Sequence, residues 1–397
     1  MENKIKIAFF MDGGEGGGVV EYIRLLVSHL DRNKFYRYGV FIGKGNSYNV
    51  LGHLFDETKI LTNERLVNSN FSNNKILLNL KKIQIAILAL FRFSKYIRFK
   101  NIQIIDVSYF PHHLIAGVAS RINKRICIWH WHGASTLSRS KNFLVKYGVK
   151  YLSFKIISIS KFVENSLPKT VMYKSKVIYN GISIPPVQKD PPKSLHEFLN
   201  IDSSERLIGI IGTLTPIKGH QDFINAADIV FKKGYKAKFL IIGKETEAHK
   251  NKFNYTQKLS TQISKLQLNQ NVLMTGPIPS FSEYISSLHI VIMPTIPIGS
   301  VKGEGFGLVA AEAMAASVPV IATTTGAFPE IITNGVEGVL ISPQSPEMLA
   351  DAMIELLRDP NYREVLASNG RLNVVNKFDI INMTKSMETL YYESLKR

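Results

Sequence analysis

Short apolar, β-branched runs recur through the first half of the chain, at residues 5–10, 38–42, 102–107, 125–131 and 155–160. Stretches of helical pattern separate them. That alternation predicts a parallel sheet with crossover helices. The pattern breaks at "GISIPPVQKDPPKSLHEF", where Pro185, Pro186, Pro191 and Pro192 read as a linker or hinge. Strand signals resume at 207–211, 237–242, 272–274, 290–293 and 319–322. The expected fold class is therefore α/β, with two Rossmann-like, doubly wound parallel-sheet domains at 1–182 and 183–379. The halves share a plan but no detectable sequence repeat. A helical tail, 380–397, is expected to pack back on the first domain.

With 397 residues, 45% of them hydrophobic, the chain can fill two cores and is not compositionally disordered. The single cysteine, Cys127, allows no internal disulfide and suits a reducing cytosol. The N-terminal apolar run is too short for a signal peptide and reads as a first strand. No apolar run reaches about 18 residues without a charge, so no membrane-spanning helix is expected.

Charge changes the picture. The net charge is +18, and residues 1–182 hold 28 Lys+Arg against 10 Asp+Glu, while the remainder holds 21 of each. A one-sided basic surface points to a polyanionic partner: nucleic acid, an anionic membrane or a phosphorylated substrate. From Arg65 to Ile105 there is no Asp or Glu. Lys75, Lys81, Lys82, Arg92, Lys95, Arg98 and Lys100 alternate there with Leu, Ile and Phe. On a helix, Lys81, Arg92, Lys95 and Arg98 share one broad arc, interrupted by Leu88 and Phe99. A basic, apolar, acid-free helix suits an anionic bilayer. The other reading is a buried helix with a solvated basic edge.

Four motifs carry chemistry. After the first strand, "MDGGEGGGVVEYIRLLVSHL" places Gly13, Gly14, Gly16, Gly17 and Gly18 before a helix. Such a loop lets backbone approach a ligand, and the helix start favours an anion; a tight turn is the alternative. The NAD fingerprint is not met. Val19 stands where the third glycine belongs, and the second strand ends "FIGKGN", with Lys44 and no acid. There is no Walker A loop. In "IWHWHGAS", His130 and His132 fall on one face of a strand. They could bind metal, with His112 and His113 as remote partners, but no third ligand is evident. His132, just before Gly133 at a parallel strand's C-terminal end, is placed to meet a ligand, unless it is structural. In "IIGTLTPIKGHQDF", a strand runs into Gly212 and Thr213, then Lys218 and Gly219. A lysine there can neutralise a diphosphate, or simply be solvated.

The fourth is "GEGFGLVAAEAMA". Gly303, Gly305 and Gly307 keep a loop bare. The amides of Phe306, Gly307 and Leu308 would open a helix over 308–316, an anion cradle with a favourable dipole. Glu312, one turn beyond Leu308, can accept two hydrogen bonds from a ribose diol. Glu304 can reach sugar hydroxyls on the other side. The Ala-rich helix between them reads as buried, so an unpaired Glu would be costly and a polar partner is expected.

"EGFGLVAAE" resembles the E-x7-E motif of retaining glycosyltransferases of the GT-B fold, family 4. The resemblance extends, in order, through the glycine-rich first loop, "HG" at 132–133, "SISKFV", "VIYNGI", "GTLTPIKG", "FLIIGK", "VLMTGPIP" and "TTTGAFPEII". It implies two domains facing across a cleft, with a nucleotide-sugar donor held mainly by the second and the acceptor by the first. By resemblance, Glu304 holds the donor sugar, and the Phe306–Leu308 amides with Gly305 hold phosphate oxygens. Glu312 holds the ribose and Lys218 the diphosphate. Gly16 and Gly17 abut the diphosphate, and His132 contacts the sugar near the reacting carbon. The base lies near Gly276 and Ile278. Thr213 stands where many members carry Arg, a departure that leaves half of the usual basic clamp to a hydroxyl or another group.

No D-x-D occurs, so neither metal nor cofactor is expected. The activity implied is a metal-independent, retaining transfer of a hexose or N-acetylhexosamine, on a UDP-sugar, to a glycan. The acceptor would be free or polyprenyl-diphosphate-linked, in cell-surface polysaccharide synthesis. The enzyme would be cytoplasmic and peripheral on the inner face of the membrane. GDP-mannose with a soluble acceptor is the rival within the class. Nucleic-acid binding is the rival outside it, and is disfavoured because Glu304 would repel phosphates.

Overall fold

The computed structural model describes residues 4–14, 17–66, 75–110, 112–133, 138–185, 194–246 and 254–396. It divides into two compact units, one formed by Met1–Gly133, Leu137–Gly181 and Ile380–Arg397, the other by Ile182–Asp379.

The first unit is a seven-stranded parallel sheet. Its strands are β1 (Ile5–Met11), β2 (Phe35–Phe41), β3 (Glu57–Ile60), β4 (Ile104–Val107), β5 (Ile126–Trp131), β6 (Lys155–Ser158) and β7 (Ser175–Val177), in spatial order β3-β2-β1-β4-β5-β6-β7. Helices α1 (Gly18–His29), α2 (Asn46–Leu51), α3 (Lys75–Lys100), α4 (His112–Ile122), α5 (Arg139–Leu152) and α6 (Lys161–Glu164) connect them. Right-handed crossovers send α1 and α2 to one face and α3, α4 and α5 to the other.

The second unit is a six-stranded parallel sheet of β8 (Leu207–Ile211), β9 (Lys238–Ile242), β10 (Val272–Gly276), β11 (Ile290–Met293), β12 (Val320–Thr323) and β13 (Val339–Ile341), ordered β10-β9-β8-β11-β12-β13. Its helices are α7 (Leu195–Leu199), α8 (His220–Lys232), α9 (Tyr255–Lys265), α10 (Leu308–Ala315), α11 (Phe328–Ile331), α12 (Pro346–Arg358) and α13 (Pro360–Lys377). α12 packs on α8, and α13 on α10.

The last helix, α14 (Ile380–Leu395), belongs to the first unit. The Gly181 amide meets Met383 Sδ at 3.0 Å, Glu388 accepts from the Asp31 amide at 3.0 Å, and Tyr391 packs edge-on to Phe35. A Cβ on Gly181 would stand 2.6 Å from the Ile380 Cα, so this approach requires glycine.

Two strands carry no run that the hydrophobic pattern could flag, β3 (ETKI) and β7 (SKV), and a third, β13 (VLI), is apolar but only three residues long. All three are sheet edges, three or four residues long, where one-sided pairing relaxes the apolar requirement. β2 begins at Phe35 rather than 38, because Phe35 is fully buried.

The basic arc expected on α3 is also revised. Lys81 pairs with Glu64 at 2.9 Å, Lys100 with Glu57 at 2.8 Å, and Arg92 donates to the Leu61 carbonyl at 2.6 Å. Lys81 and Arg92 of the arc are thus engaged by the protein itself, while Lys95 and Arg98 stay exposed. What α3 exposes is mainly apolar: Ile76, Leu80, Ile83, Ile87 and Phe91, one stripe at helical spacing, with Phe91 70% exposed. Its opposite face, Ile85, Ala89, Phe93 and Ile97, is buried. No described helix is long and apolar enough to cross a membrane.

Candidate functional site

In an open parallel sheet, ligands meet the carboxyl ends of the strands where the strand order reverses. In the second unit that reversal lies between β8 and β11. Lys218 follows β8 and Glu304 follows β11, and their side chains meet, Lys218 Nζ donating to Glu304 Oε2 at 2.5 Å. Glu304 is the half-buried carboxylate for which a polar partner was expected, and Lys218 is that partner. With side chains only 26% and 24% exposed, the pair is partly desolvated and holds each member in place.

The surrounding backbone is locked by glycines. Gly219, at φ +73°, lets the Lys218 turn press on Pro294, whose carbonyl oxygen a Cβ would strike. The Ile296 amide donates to the Ile217 carbonyl at 2.9 Å, tying the two loops together. The Glu304 carbonyl accepts from the Ala327 amide at 3.0 Å, and a Cβ on Gly303 would sit 2.6 Å from the Gly326 nitrogen. The "TTTGAF" stretch is thus the seat of the glutamate loop.

α10 starts at Leu308, with Gly307 at φ +95° and no side chain capping its amides. Phe306 is turned inward, 2% exposed and edge-on to Phe378 at 5.4 Å, which anchors the loop. Gly305 and Leu308 are partly exposed. Glu312 lies one turn into α10, partly exposed, on a helix otherwise buried through Ala310, Ala311, Ala313 and Met314. Thr213 is partly exposed in the loop after β8. Gly276 ends β10 at φ +71° with open space where a Cβ would stand, and Ile278 follows it, buried.

In the first unit the reversal lies between β1 and β4. Of the glycines after β1, Gly13 is structural. A Cβ there would strike the Gly43 carbonyl, and one on Gly45 the Gly13 carbonyl, so the loops after β1 and β2 pack backbone to backbone. That explains "FIGKGN" without a ribose-binding acid. Gly14 and Gly17 face open space. Gly17 precedes α1, while Gly16 lies outside the described residues.

His130 and His132 share a face of β5, ring centroids 6.0 Å apart. His130 is fully buried, its Nε2 2.8 Å from Asp106 Oδ2 and its Nδ1 3.0 Å from the Tyr22 hydroxyl. It is a structural histidine. Sequence reasoning missed this network; its one visible sign was an aspartate inside the apolar run "IIDV". His132 is half-buried at the end of β5, its Nε2 without a hydrogen-bond partner among the described residues. Burial, with His130 and His113 nearby, holds its imidazole well below the ordinary value, so it is neutral at pH 7. His113 donates from Nε2 to the Val107 and His130 carbonyls, and stacks on Trp129. Among the described residues no three His, Cys, Asp or Glu side chains form a cluster that could hold a metal.

Burial pushes His113 down to about 3 and His112 down to about 4. Between those values and about 6.5, the unfolded chain binds protons that the native state refuses, so stability falls as pH drops. At about pH 5 each should cost roughly 2 kcal/mol. Urea denaturation at pH 7 and pH 5 should show the loss, and His112→Phe should remove its share.

These features define a fold: two Rossmann-like parallel-sheet units, the architecture of GT-B glycosyltransferase structures. The structure superposes on Anabaena HepE, solved in complex with UDP and glucose, with a TM-score of 0.80 over 97% of this chain and 99% of that one, at 20% identity. Residues 193–373 match the family described as glycosyl transferases group 1. That match lies wholly within the second unit. It is 28% identical to the Staphylococcus aureus capsular polysaccharide biosynthesis glycosyltransferase CapM, over 71% of this chain and 74% of that one. It is 27% identical to the Bacillus anthracis N-acetyl-alpha-D-glucosaminyl L-malate synthase, over 75% and 76%.

Proposed function

We propose that this glycosyltransferase moves a hexose or N-acetylhexosamine from a UDP-sugar to a glycan or lipid-linked glycan, in cell-surface polysaccharide synthesis, with retained anomeric configuration. The observation that carries the reading is the Lys218–Glu304 pair, at the strand-order reversal of the second unit and on the same loop that opens α10. Lys218 and the α10 amides meet the charge of the departing diphosphate, and no metal ion is invoked. Glu304 orients Lys218 and accepts hydrogen bonds from the donor sugar. Glu312 accepts from the ribose, Gly14 and Gly17 admit phosphate to the first unit, and neutral His132 contacts the sugar. The acceptor hydroxyl attacks on the face that the diphosphate leaves, whose oxygen takes the proton. UDP as the nucleotide and polysaccharide as the product are carried over from HepE and CapM respectively. UDP release from UDP-glucose, UDP-galactose and UDP-N-acetylglucosamine, against GDP release from GDP-mannose, tests it. Turnover of GDP-mannose alone would transfer the reading to the other donor class, and turnover of none would overturn it.

The acceptor side is proposed to lie at an anionic membrane, with the enzyme peripheral on its cytoplasmic face. α3, α4 and α5 carry twelve Lys+Arg and no Asp or Glu. Across α4 from α3, α5 exposes Phe143, Tyr147 and Tyr151, four residues apart and each more than half exposed. Aromatics flanked by bases suit the headgroup layer. The protein should float with phosphatidylglycerol vesicles and not with phosphatidylcholine ones. Ile83→Glu with Ile87→Glu and Phe91→Glu should abolish flotation; unchanged flotation contradicts the membrane assignment.

A further inference from the structure

A fully buried polar cluster in the first unit has no part in the proposed transfer. Asp106, on β4 among Ile104, Ile105 and Val107, is 2% exposed. A carboxylate in such a place requires hydrogen-bond donors. Asp106 Oδ2 accepts from the Tyr391 hydroxyl on α14 at 2.7 Å and from His130 Nε2 on β5 at 2.8 Å. Because the carboxylate only accepts, His130 carries its proton on Nε2. In the neutral ring Nδ1 is then an acceptor, and the Tyr22 hydroxyl on α1 donates to it at 3.0 Å. Three secondary-structure elements are thus tied to one aspartate by a chain in which both nitrogens of His130 are satisfied.

The chain ends on His132. The Tyr22 ring lies edge-on to the His132 ring, centroids 4.9 Å apart at 65°. The His130 ring lies nearly parallel to it, 6.0 Å away at 21°. Two neighbours of the His132 imidazole are therefore groups whose own orientation is fixed by hydrogen bonds. An apolar filling would meet the packing need of this site without the desolvation cost of a carboxylate. An aspartate with two directional partners, one of them linked on to Tyr22, so that helices at opposite ends of the chain are joined, does something that apolar packing does not: it fixes ring orientation. The Tyr391 hydroxyl is the contribution of the last helix.

We propose that Asp106, His130, Tyr22 and Tyr391 position the imidazole of His132, so that the seating of α14 sets the geometry at the carboxyl end of β5. The inference rests on the reading of His132 as a donor-sugar contact. These four are positioning residues; none of them touches the sugar.

The test uses the full-length enzyme, UDP release from whichever of UDP-glucose, UDP-galactose and UDP-N-acetylglucosamine it turns over, and single-hydroxyl deletions. Tyr391→Phe and Tyr22→Phe should each lower kcat roughly tenfold and leave the donor KM within about twofold. In a His132→Gln background the added Tyr391→Phe should change kcat no further, because residues acting through one another are not additive. The His132 Cε1–H resonance, assigned by its loss in His132→Gln, should shift in both Phe variants. A wild-type kcat in both Phe variants, an unmoved His132 resonance, or the same fold-loss with and without His132 would overturn the positioning role. Should Tyr391→Phe fail to fold, Tyr22→Phe alone decides by the same readouts. A wild-type kcat and KM in His132→Gln would instead sink the reading of His132 itself.

Discussion

Lys218→Ala should lower sugar transfer by about a hundredfold to a thousandfold, the loss expected when one preorganised group stabilising transition-state charge is removed. The expectation follows from geometry. Lys218 Nζ is held 2.5 Å from Glu304 at the point where the second unit reverses its strand order. Removing it also leaves a half-buried carboxylate without the ammonium that neutralises it, on the loop that opens α10. Glu304→Ala should be comparably damaging, since it frees Lys218 and removes the proposed sugar contact together. Lys218→Arg should not rescue fully: a guanidinium is a wider, planar fork where a compact point charge now sits. The measurement is initial UDP-release rate at saturating donor. Turnover within about threefold of wild type in either Ala variant would mean that this pair is not where the diphosphate is met.

Gly219→Ala should destabilise the protein by about 3 kcal/mol or more, combining roughly 1–2 for a left-handed residue with roughly 1–3 for overpacking. Gly219 has φ +73°, and the added Cβ meets the Pro294 carbonyl oxygen, which is backbone and cannot swing aside. Gly234→Ala supplies the control. It has φ +83° but nothing within 4 Å, so only the conformational part, about 1–2 kcal/mol, applies. Urea midpoints of the two variants separate these contributions. Equal losses would show that the close approach of the Lys218 turn to Pro294 is unimportant.

Much of the architecture was legible in the sequence because parallel strands are buried on both faces and read as continuous apolar runs. β8 and β11 fall at 207–211 and 290–293, as the runs predicted. The edge strands were not legible, since "ETKI" and "SKV" pair on one side only and need no such run. In the site, glycines were read as one class and the structure separates them. Gly13 and Gly45 serve loop-to-loop packing, whereas Gly14 and Gly17 face open space. That distinction depends on which segments become neighbours, which spacing does not encode. The same holds for Lys218 and Glu304: each was assigned a ligand group, and their mutual contact comes only from β8 and β11 lying side by side. On α3 the basic and apolar composition is legible, but Glu57, Glu64 and the Leu61 carbonyl claim Lys100, Lys81 and Arg92, leaving Lys95 and Arg98 exposed. The outward face carries, beside those two, the apolar stripe Ile76, Leu80, Ile83, Ile87 and Phe91.

The most direct test of the account is the UDP-induced shift in melting temperature of the whole chain, compared between wild type and Glu312→Ala. Glu312 stands one turn into α10, among the buried Ala310, Ala311, Ala313 and Met314, and is assigned the ribose. UDP at about a hundredfold excess over its Kd should raise the wild-type midpoint by roughly 5 °C. The shift should be largely lost in Glu312→Ala, and Lys218→Ala should weaken it as well. No shift with UDP in the wild-type protein, or an undiminished shift in Glu312→Ala, would contradict the claim that this unit binds the nucleotide through the α10 loop.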